Sequence, residues 1–291
     1  MEINLENFNK KKNIFSILDN IHNLPSIPIV LTEVNRMLAD ANISASDLGK
    51  IISKDQGLTT KILKIANSPL YGIPRRVSTI DFAIVILGFN HIKNIVIALS
   101  MIEAFKGIDG KRFSQKQYWQ HSLLTGIISK RLADDLGYHF SGEAFTAGLL
   151  HDMGIPLIFN FFKDEYFKIL DLLETSSTPV EVIEMEILGA THENIGKYLI
   201  DRWNLPTSLS AVVETHHSPM KYEEFHELAS VVHLADFMLN KMQIGGFIWD
   251  KNFKFERKVI DTLKLSNEKY LEEIYNKYAK IIQEQAETTI L

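Results

Sequence analysis

The sequence predicts an all-α protein, and three observations carry that reading. Apolar residues recur at helical spacing through nearly the whole chain. Ser, Thr, Gly and Pro fall where such helices should start and stop. The one β-branched run, Ile95-Val96-Ile97, has no partner strand with turn signals nearby, so it reads as helix. With 291 residues there is enough chain for one large domain or two ordinary ones, and 46% hydrophobic residues suffice for a substantial core.

The elements follow in order. Ser44 to Asp47 reads as a helix start, with Leu48, Ile51 and Ile52 on one face. Leu58, Ile62, Leu63, Ile65 and Ala66 mark the next helix. Asn67-Ser68-Pro69 stops it, because proline disfavours helical geometry in the residue before it. Ser78 or Thr79 can cap a helix through Ile80, Ala83, Ile84 and Leu87. Gly88 interrupts it, and Ile92, Ile95, Val96 and Leu99 resume the period. The polar stretch from Lys106 to Arg112 marks an internal boundary.

Beyond that boundary Trp119, Leu123, Leu124, Ile127, Ile128 and Leu132 describe one helix. Ser141 is expected to cap the next, which runs through Phe145 and Leu149 to His151. Tyr166, Ile169, Leu170 and Leu173 give another. Thr178-Pro179-Val180-Glu181 predicts a start with Thr178 as cap, Pro179 at the first position and Glu181 closing a capping box. His192 opens a helix that Asn204-Leu205-Pro206 ends. Residues 241 to 256 are aromatic-rich (Phe247, Trp249, Phe253, Phe255) and either cap the core or form an interaction surface. A short helix at Val259 to Leu263 and a last one, capped by Ser266 and running to Ile282, complete the chain. The expected division is 1–110, 111–240 and 241–291.

Composition narrows the function. Cysteine is absent, which excludes disulfides, thiolate metal sites, iron–sulfur clusters and a cysteine nucleophile. Met1 to Phe15 has no signal-peptide apolar segment. Apolar runs such as Ala83 to Leu87 fall far short of the roughly 20 residues of a membrane span. A soluble, cytoplasmic protein is expected. A net charge of -5, from 31 basic and 36 acidic residues, argues against nucleic-acid binding, and Lys10 to Lys12 and Arg75-Arg76 read as solvated surface.

The chemistry-bearing residues lie in the middle of the chain. His151-Asp152 is preceded by His121 and followed by His192, His216-His217 and Asp236. Neutral imidazoles suit iron, manganese, zinc or nickel, and a carboxylate can bridge two ions. Adjacent side chains on a regular helix diverge by about 100°. His151 and Asp152 therefore converge on one centre only near a helix end or between two ions. One ion held by His121, His151, Asp152 and Asp236, and a second by Asp152, His192, His216 and His217, would use all seven. His22, His91 and His226 are read as surface or filler, and His233 as non-ligating.

The pattern of His121, His151-Asp152 and Asp236 resembles the HD superfamily of metal-dependent phosphohydrolases. With His192 and His216-His217 added, it resembles the dinuclear HD-GYP cyclic-di-GMP phosphodiesterases. Leu24-Pro25-Ser26-Ile27-Pro28, Ile52 to Thr59, Ile65 to Pro69, Ala83 to Gly88 and Trp203 to Pro206 resemble the HDOD family, the HD-related output domain. That likeness runs over residues 16 to 240. It implies a helical N-terminal bundle packed against an HD-like bundle, in a bacterial signalling module that acts through protein contacts and often lacks hydrolase activity. Signalling proteins, a second copy of the chain, or a small phosphorylated ligand are the implied partners.

Two departures bear on activity. His216-His217 is followed by Ser218-Pro219-Met220 rather than the Gly-Tyr-Pro signature. Ile155 stands where the phosphodiesterases often carry a lysine, and no basic residue follows Gly154 until Lys163. The expected function is a regulatory module with one or two divalent transition metals. The alternative is a metal-dependent phosphohydrolase, in which Asp152 would be the bridging catalytic ligand. An open pocket with a basic wall would favour hydrolysis, and a plug by the first-half bundle or by the 241–256 segment would count against it.

Overall fold

Helices supply the regular structure throughout the residues that the computed structural model describes: 14–21, 44–68, 71, 73–105, 107–243, 249–265 and 268–286. Among these there is no strand, only an isolated bridge between Gly110 and Phe113 in the polar boundary stretch. The motif at Leu24 to Pro28, the proline at Pro69, Phe247 and the expected cap Ser266 lie outside the described residues.

After a helical segment over 14–20, a first group of helices packs together: α1 (Ala45–Ser53), α2 (Gln56–Ala66), α3 (Ile80–Leu87) and α4 (Phe89–Ala104). Ser44 and Asp47 form a full capping box at α1, and Thr79 accepts from the Phe82 N–H at α3. A cap of this kind contributes about 1 kcal/mol. Asn67 does more than stop α2. Its amide donates to Val77 O (2.7 Å) and accepts from Val77 N–H (2.8 Å), which ties the following loop back to the helix end. Gly88 sits at φ +87°, and the chain bends by 118° between α3 and α4 there.

The second group contains α5 (Gln115–Asp135), α6 (Ser141–Leu150), α7 (Gly154–Phe161), α8 (Lys163–Thr175), α9 (Val180–Ile187), α10 (His192–Arg202), α11 (Thr207–Thr215) and α12 (His226–Met242). α13 (Lys258–Thr262) and α14 (Glu268–Ala286) pack against α12. α4 lies on α6 and joins the two groups. Buried apolar side chains form one continuous cluster from Ile14 to Ile282. The C-terminal helix belongs to it through Ile274, Tyr278 and Ile282, and the Tyr278 hydroxyl donates to Asp135 (2.7 Å) on α5.

The backbones of α5 and α6 approach closely where the two helices cross. A Cβ on Gly126 would lie 2.7 Å from Phe145 O, and one on Gly148 would lie 2.9 Å from Thr125 O. Only glycine lets the two backbones approach this closely, and this approach brings His121 and His151 to the same side of the core.

Two expected caps are corrected. Ser141 is the first helical residue of α6 and the capping position is Phe140, with no side-chain cap. Pro179 is the capping position of α9 rather than its first turn, with ψ 144°, and Thr178 makes no cap. Proline fixes φ near the helical value but leaves ψ free, so the sequence does not distinguish the two positions. Thr178 instead offers its carbonyl to Asn252 Nδ2 (2.9 Å).

His91 on α4 is buried. Its Nε2 meets the Tyr71 hydroxyl (2.8 Å), and its ring meets Phe145 edge-on. Burial, with a smaller contribution from Lys130, pushes its pKa down to about 3. The unfolded chain then binds a proton below about pH 6.5 that the folded chain refuses until about pH 3. Stability conferred above that window is lost as pH falls through it, by up to about 1.4 kcal/mol per pH unit. His91→Gln keeps an acceptor for Tyr71 and removes the titration. It should flatten the acid limb of a denaturant-monitored stability profile between pH 6.5 and 4, and an unchanged slope would rule His91 out as a source of acid lability.

Candidate metal centre

Five helical elements deliver the seven side chains to one buried place. His121 comes from the middle of α5. His151 and Asp152 come from the turn between α6 and α7. His192 is the first residue of α10, His216 and His217 follow the end of α11, and Asp236 lies inside α12. Their side chains are at most 5% exposed.

The His151-Asp152 turn is the C-terminal end of α6, where the sequence places a helix end. His151 keeps helical angles, and Met153 N–H and Ile155 N–H donate three residues back, to Leu150 O and Asp152 O. Pro156 has no N–H to compete for Asp152 O, so the short bond forms. Gly154 then opens α7 directly against α10, where a Cβ would fall 2.0 Å from His192 O.

Asp152 is the hub. Its Oδ2 lies 3.0 Å from His151 Nε2 and 3.8 Å from His121 Nε2. Its Oδ1 lies 3.6 Å from His192 Nε2 and 3.5 Å from His216 Nε2. Asp236 Oδ1 completes the first half, 3.1 Å from His121 Nε2 and 3.7 Å from His151 Nε2. His217 completes the second, its ring tilted against that of His216 with centroids 4.2 Å apart and beside His192 at 5.1 Å. Within each of the sets His121/His151/Asp236, His151/Asp152/His216 and His192/His216/His217, ligand atoms lie within 4.8 Å of one another. The arrangement is a buried His/Asp cluster capable of chelating a metal ion.

Hydrogen bonds at the far ring nitrogens set how the imidazoles point. His151 Nδ1 meets Gly148 O (2.7 Å), His216 Nδ1 meets Val213 O (3.0 Å), and His192 Nδ1 meets both oxygens of Glu184 (2.9 Å each). A carbonyl or carboxylate only accepts, so each Nδ1 carries the proton and each Nε2 presents a lone pair when the ring is neutral. The lone pairs of His192 and His216 then face each other across 3.3 Å, a repulsive contact unless a cation lies between them. Among the described residues, His151 Nε2, His217 Nε2, both Asp152 oxygens and Asp236 Oδ2 are buried without a hydrogen-bond partner. Imidazole and carboxylate donors, no thiolate and lone pairs turned inward together fit a divalent transition metal. His233 differs: Nδ1 meets His216 O (2.6 Å) and Nε2 accepts from the Glu256 N–H (2.9 Å), so backbone groups use both nitrogens.

Protons can balance the same charge. Burial lowers the pKa of His151 and His192, but the surrounding acids together outweigh it, Asp152 foremost at His151, which rises to about 9, and Glu184 foremost at His192, which rises to about 10. Burial, reinforced by His217, holds His216 well below its usual range. Burial likewise opposes the charged form of Asp152, but neighbouring His151 keeps its pKa well below the usual carboxylate value. A metal binding here displaces protons.

Sequence reasoning missed four carboxylates around the centre. Glu184 orients His192 and also accepts from Trp249 Nε1 (2.9 Å). Its signal was an acid beside Ile183 on the buried face of α9. Glu193 accepts from the His217 N–H (3.3 Å). Glu181, expected in a capping box, turns to His217 Nδ1 (3.8 Å) instead. Asp250 is buried, with Oδ1 3.4 Å from His217 Nε2. It sits in the aromatic segment with no histidine nearby in sequence to mark it.

Two substitutions test this geometry. Gly154→Ala should push α7 off α10, destabilise the fold by about 3 kcal/mol and displace His192. Thermal melting and the imidazole NMR signals report both effects, and a variant as stable as wild type would contradict the contact. Glu184→Gln keeps the shape but weakens the grip on the His192 Nδ1–H. Affinity for added Mn(II) or Zn(II) should fall about 10- to 100-fold with the fold intact.

The HDOD domain family matches residues 24–219. An uncharacterised protein of Treponema pallidum (strain Nichols) is 27% identical over 226 residues, 77% of this chain and 44% of that protein. The chain therefore spans less than half the length of that curated relative. Three solved structures share the fold. An HDOD domain protein with unknown function from Geobacter sulfurreducens is 21% identical with TM-score 0.69, over 91% of this chain and 97% of that one. A candidate signal transduction protein from Marinobacter aquaeolei VT8 is 22% identical with TM-score 0.75, over 98% and 67%. A candidate phosphohydrolase from Shewanella amazonensis SB2B is 24% identical with TM-score 0.69, over 91% and 95%. The family match covers more than half of the chain, and the separated motifs and the clustered histidines and aspartates agree with it: the chain belongs to the HDOD domain family.

Proposed function

We propose that this HDOD protein is a signal-transduction module that works through protein contacts, with a metal centre that holds its second bundle together and does not turn over substrate. The observation that carries this reading is the seal over the centre. Trp249 is fully buried and stacks on Tyr166 (4.9 Å), Asp250 is buried beside His217, and Phe253 packs on the rings of His217 (5.1 Å) and His233 (4.9 Å). The aromatic segment thus covers the place a substrate would need to reach. The basic residue next to Asp250, Lys251, turns its Nζ instead to the carbonyls of Leu173 (3.5 Å) and Glu174 (3.4 Å).

In this reading His121, His151, Asp152 and Asp236 would hold one ion, and Asp152, His192, His216 and His217 would hold a second. Iron, manganese, zinc and nickel all suit such donors. A bound ion of this kind supplies a Lewis acid and lowers the pKa of coordinated water; here the chain's own residues chiefly bury and fix it. The units proposed are 1–110, 111–240 and 241–291. The partners proposed are signalling proteins or a second copy of the chain in the cytoplasm. A net charge of -5 argues against nucleic acid. No single helix among the described residues is long and apolar enough to cross a membrane.

A second reading, a metal-dependent phosphohydrolase acting on a nucleotide or another phosphoester, draws on one feature. The two oxygens of Asp152 face the two histidine groups, as a bridging ligand's would.

Elemental analysis of protein purified without oxygen or chelators should find about two transition-metal ions per chain. The same protein should not hydrolyse bis(p-nitrophenyl) phosphate or cyclic-di-GMP. Turnover that Asp152→Ala abolishes would replace the first reading with the second. A stable, metal-free protein would remove the metal from both.

A further inference from the structure

Asp250 stands apart from Glu184 and Glu193, two other buried acids beside the histidines. It is 2% exposed, and neither carboxylate oxygen has a hydrogen-bond partner among the described residues. Burying an unsatisfied carboxylate is among the costliest things a fold can do. The surrounding segment is nevertheless fixed firmly enough to hold it there. Trp249 Nε1 donates to Glu184 (2.9 Å), Asn252 Nδ2 donates to Ser176 O (3.1 Å) and Thr178 O (2.9 Å), and Phe253 N–H donates to Asp250 O (3.0 Å).

The carboxylate also reaches both halves of the cluster. A ligand atom of Asp250 lies within 4.8 Å of ligand atoms of His121 and Asp152, in the first half. Its Oδ1 is 3.4 Å from His217 Nε2, in the second. Asp152 shares this property, with one oxygen toward His121 and the other toward His216. Glu184 and Glu193, by contrast, already accept hydrogen bonds from His192, Trp249 or His217, which marks them as orienting groups.

We propose that Asp250 is an eighth ligand of the centre, a second carboxylate that spans both halves and closes it from within. The inference rests on the metal reading above and deepens it. The chain supplies its own anion where a phosphoryl oxygen would otherwise bind, so the segment after α12 works as a built-in plug. A residue that merely paired with a protonated His217 would leave metal binding nearly unchanged.

The test uses full-length wild type, Asp152→Asn, Asp250→Asn and Asp250→Glu, stripped of metal and titrated with Co(II) against a chelator. Asp250→Asn preserves shape and removes the charge. It should bind Co(II) more than about 100-fold more weakly, beyond the loss that an outer carboxylate causes, and the visible d–d bands should shift. Asp250→Glu, which keeps a carboxylate, should recover binding with bands of its own. If Asp250→Asn does not fold, the bands of Asp250→Glu decide: displaced from wild type they support ligation, identical to wild type they overturn it. If wild type and Asp250→Asn share affinity and spectrum while Asp152→Asn loses Co(II), Asp250 is no ligand and the metal reading stands. If wild type takes up none of Co(II), Mn(II), Fe(II), Zn(II) or Ni(II), the metal reading fails and this inference with it.

Discussion

The structure turns on one buried carboxylate. Asp152 is fully enclosed, touches four imidazoles and has no hydrogen bond to neutralise it. A charge in that position is tolerable only if cations surround it, whether protons on the histidines or metal ions between them. Much else answers to this demand. The glycine crossing of α5 and α6 places His121 beside His151, the close contact of Gly154 sets α10 so that His192 arrives from the other side, and α11 and α12 bring the remaining groups.

Outside the hub, aim comes from backbone. His151 and His216 each bond the carbonyl three residues earlier in their own turn, so the helix end itself orients the ring. His192 opens its helix and has no such carbonyl, and it depends on Glu184 from α9. That makes α9 and the Trp249 segment bound to it part of the site, although neither contributes one of the seven side chains expected from the sequence.

The helices were largely legible because their boundaries rest on local chemistry: the capping box at Ser44, Thr79 before α3, Gly88 at positive φ and Asn204 at φ 51° after α10. The centre was legible as a set because paired polar residues interrupt otherwise apolar helices, as at His151-Asp152 and His216-His217. What escaped was set by tertiary contact. Glu184 looked like one more acid on a helix until its face proved buried. Asp250 depends on how a loop without periodicity folds over α9 and α11, and no spacing rule covers that. Thr178 was misplaced because proline's fixed φ suits the capping position and the first turn equally.

The seating of α4 on α6 has a mechanical meaning. α6 is ten residues of regular helix, and its end carries His151 and Asp152. A helix is stiff along its axis, and packed interiors have low compressibility. The packing of the first bundle therefore bears, through this strut, on the carboxylate around which the second bundle is organised, and α6 is the element shared by that outer contact and that inner charge.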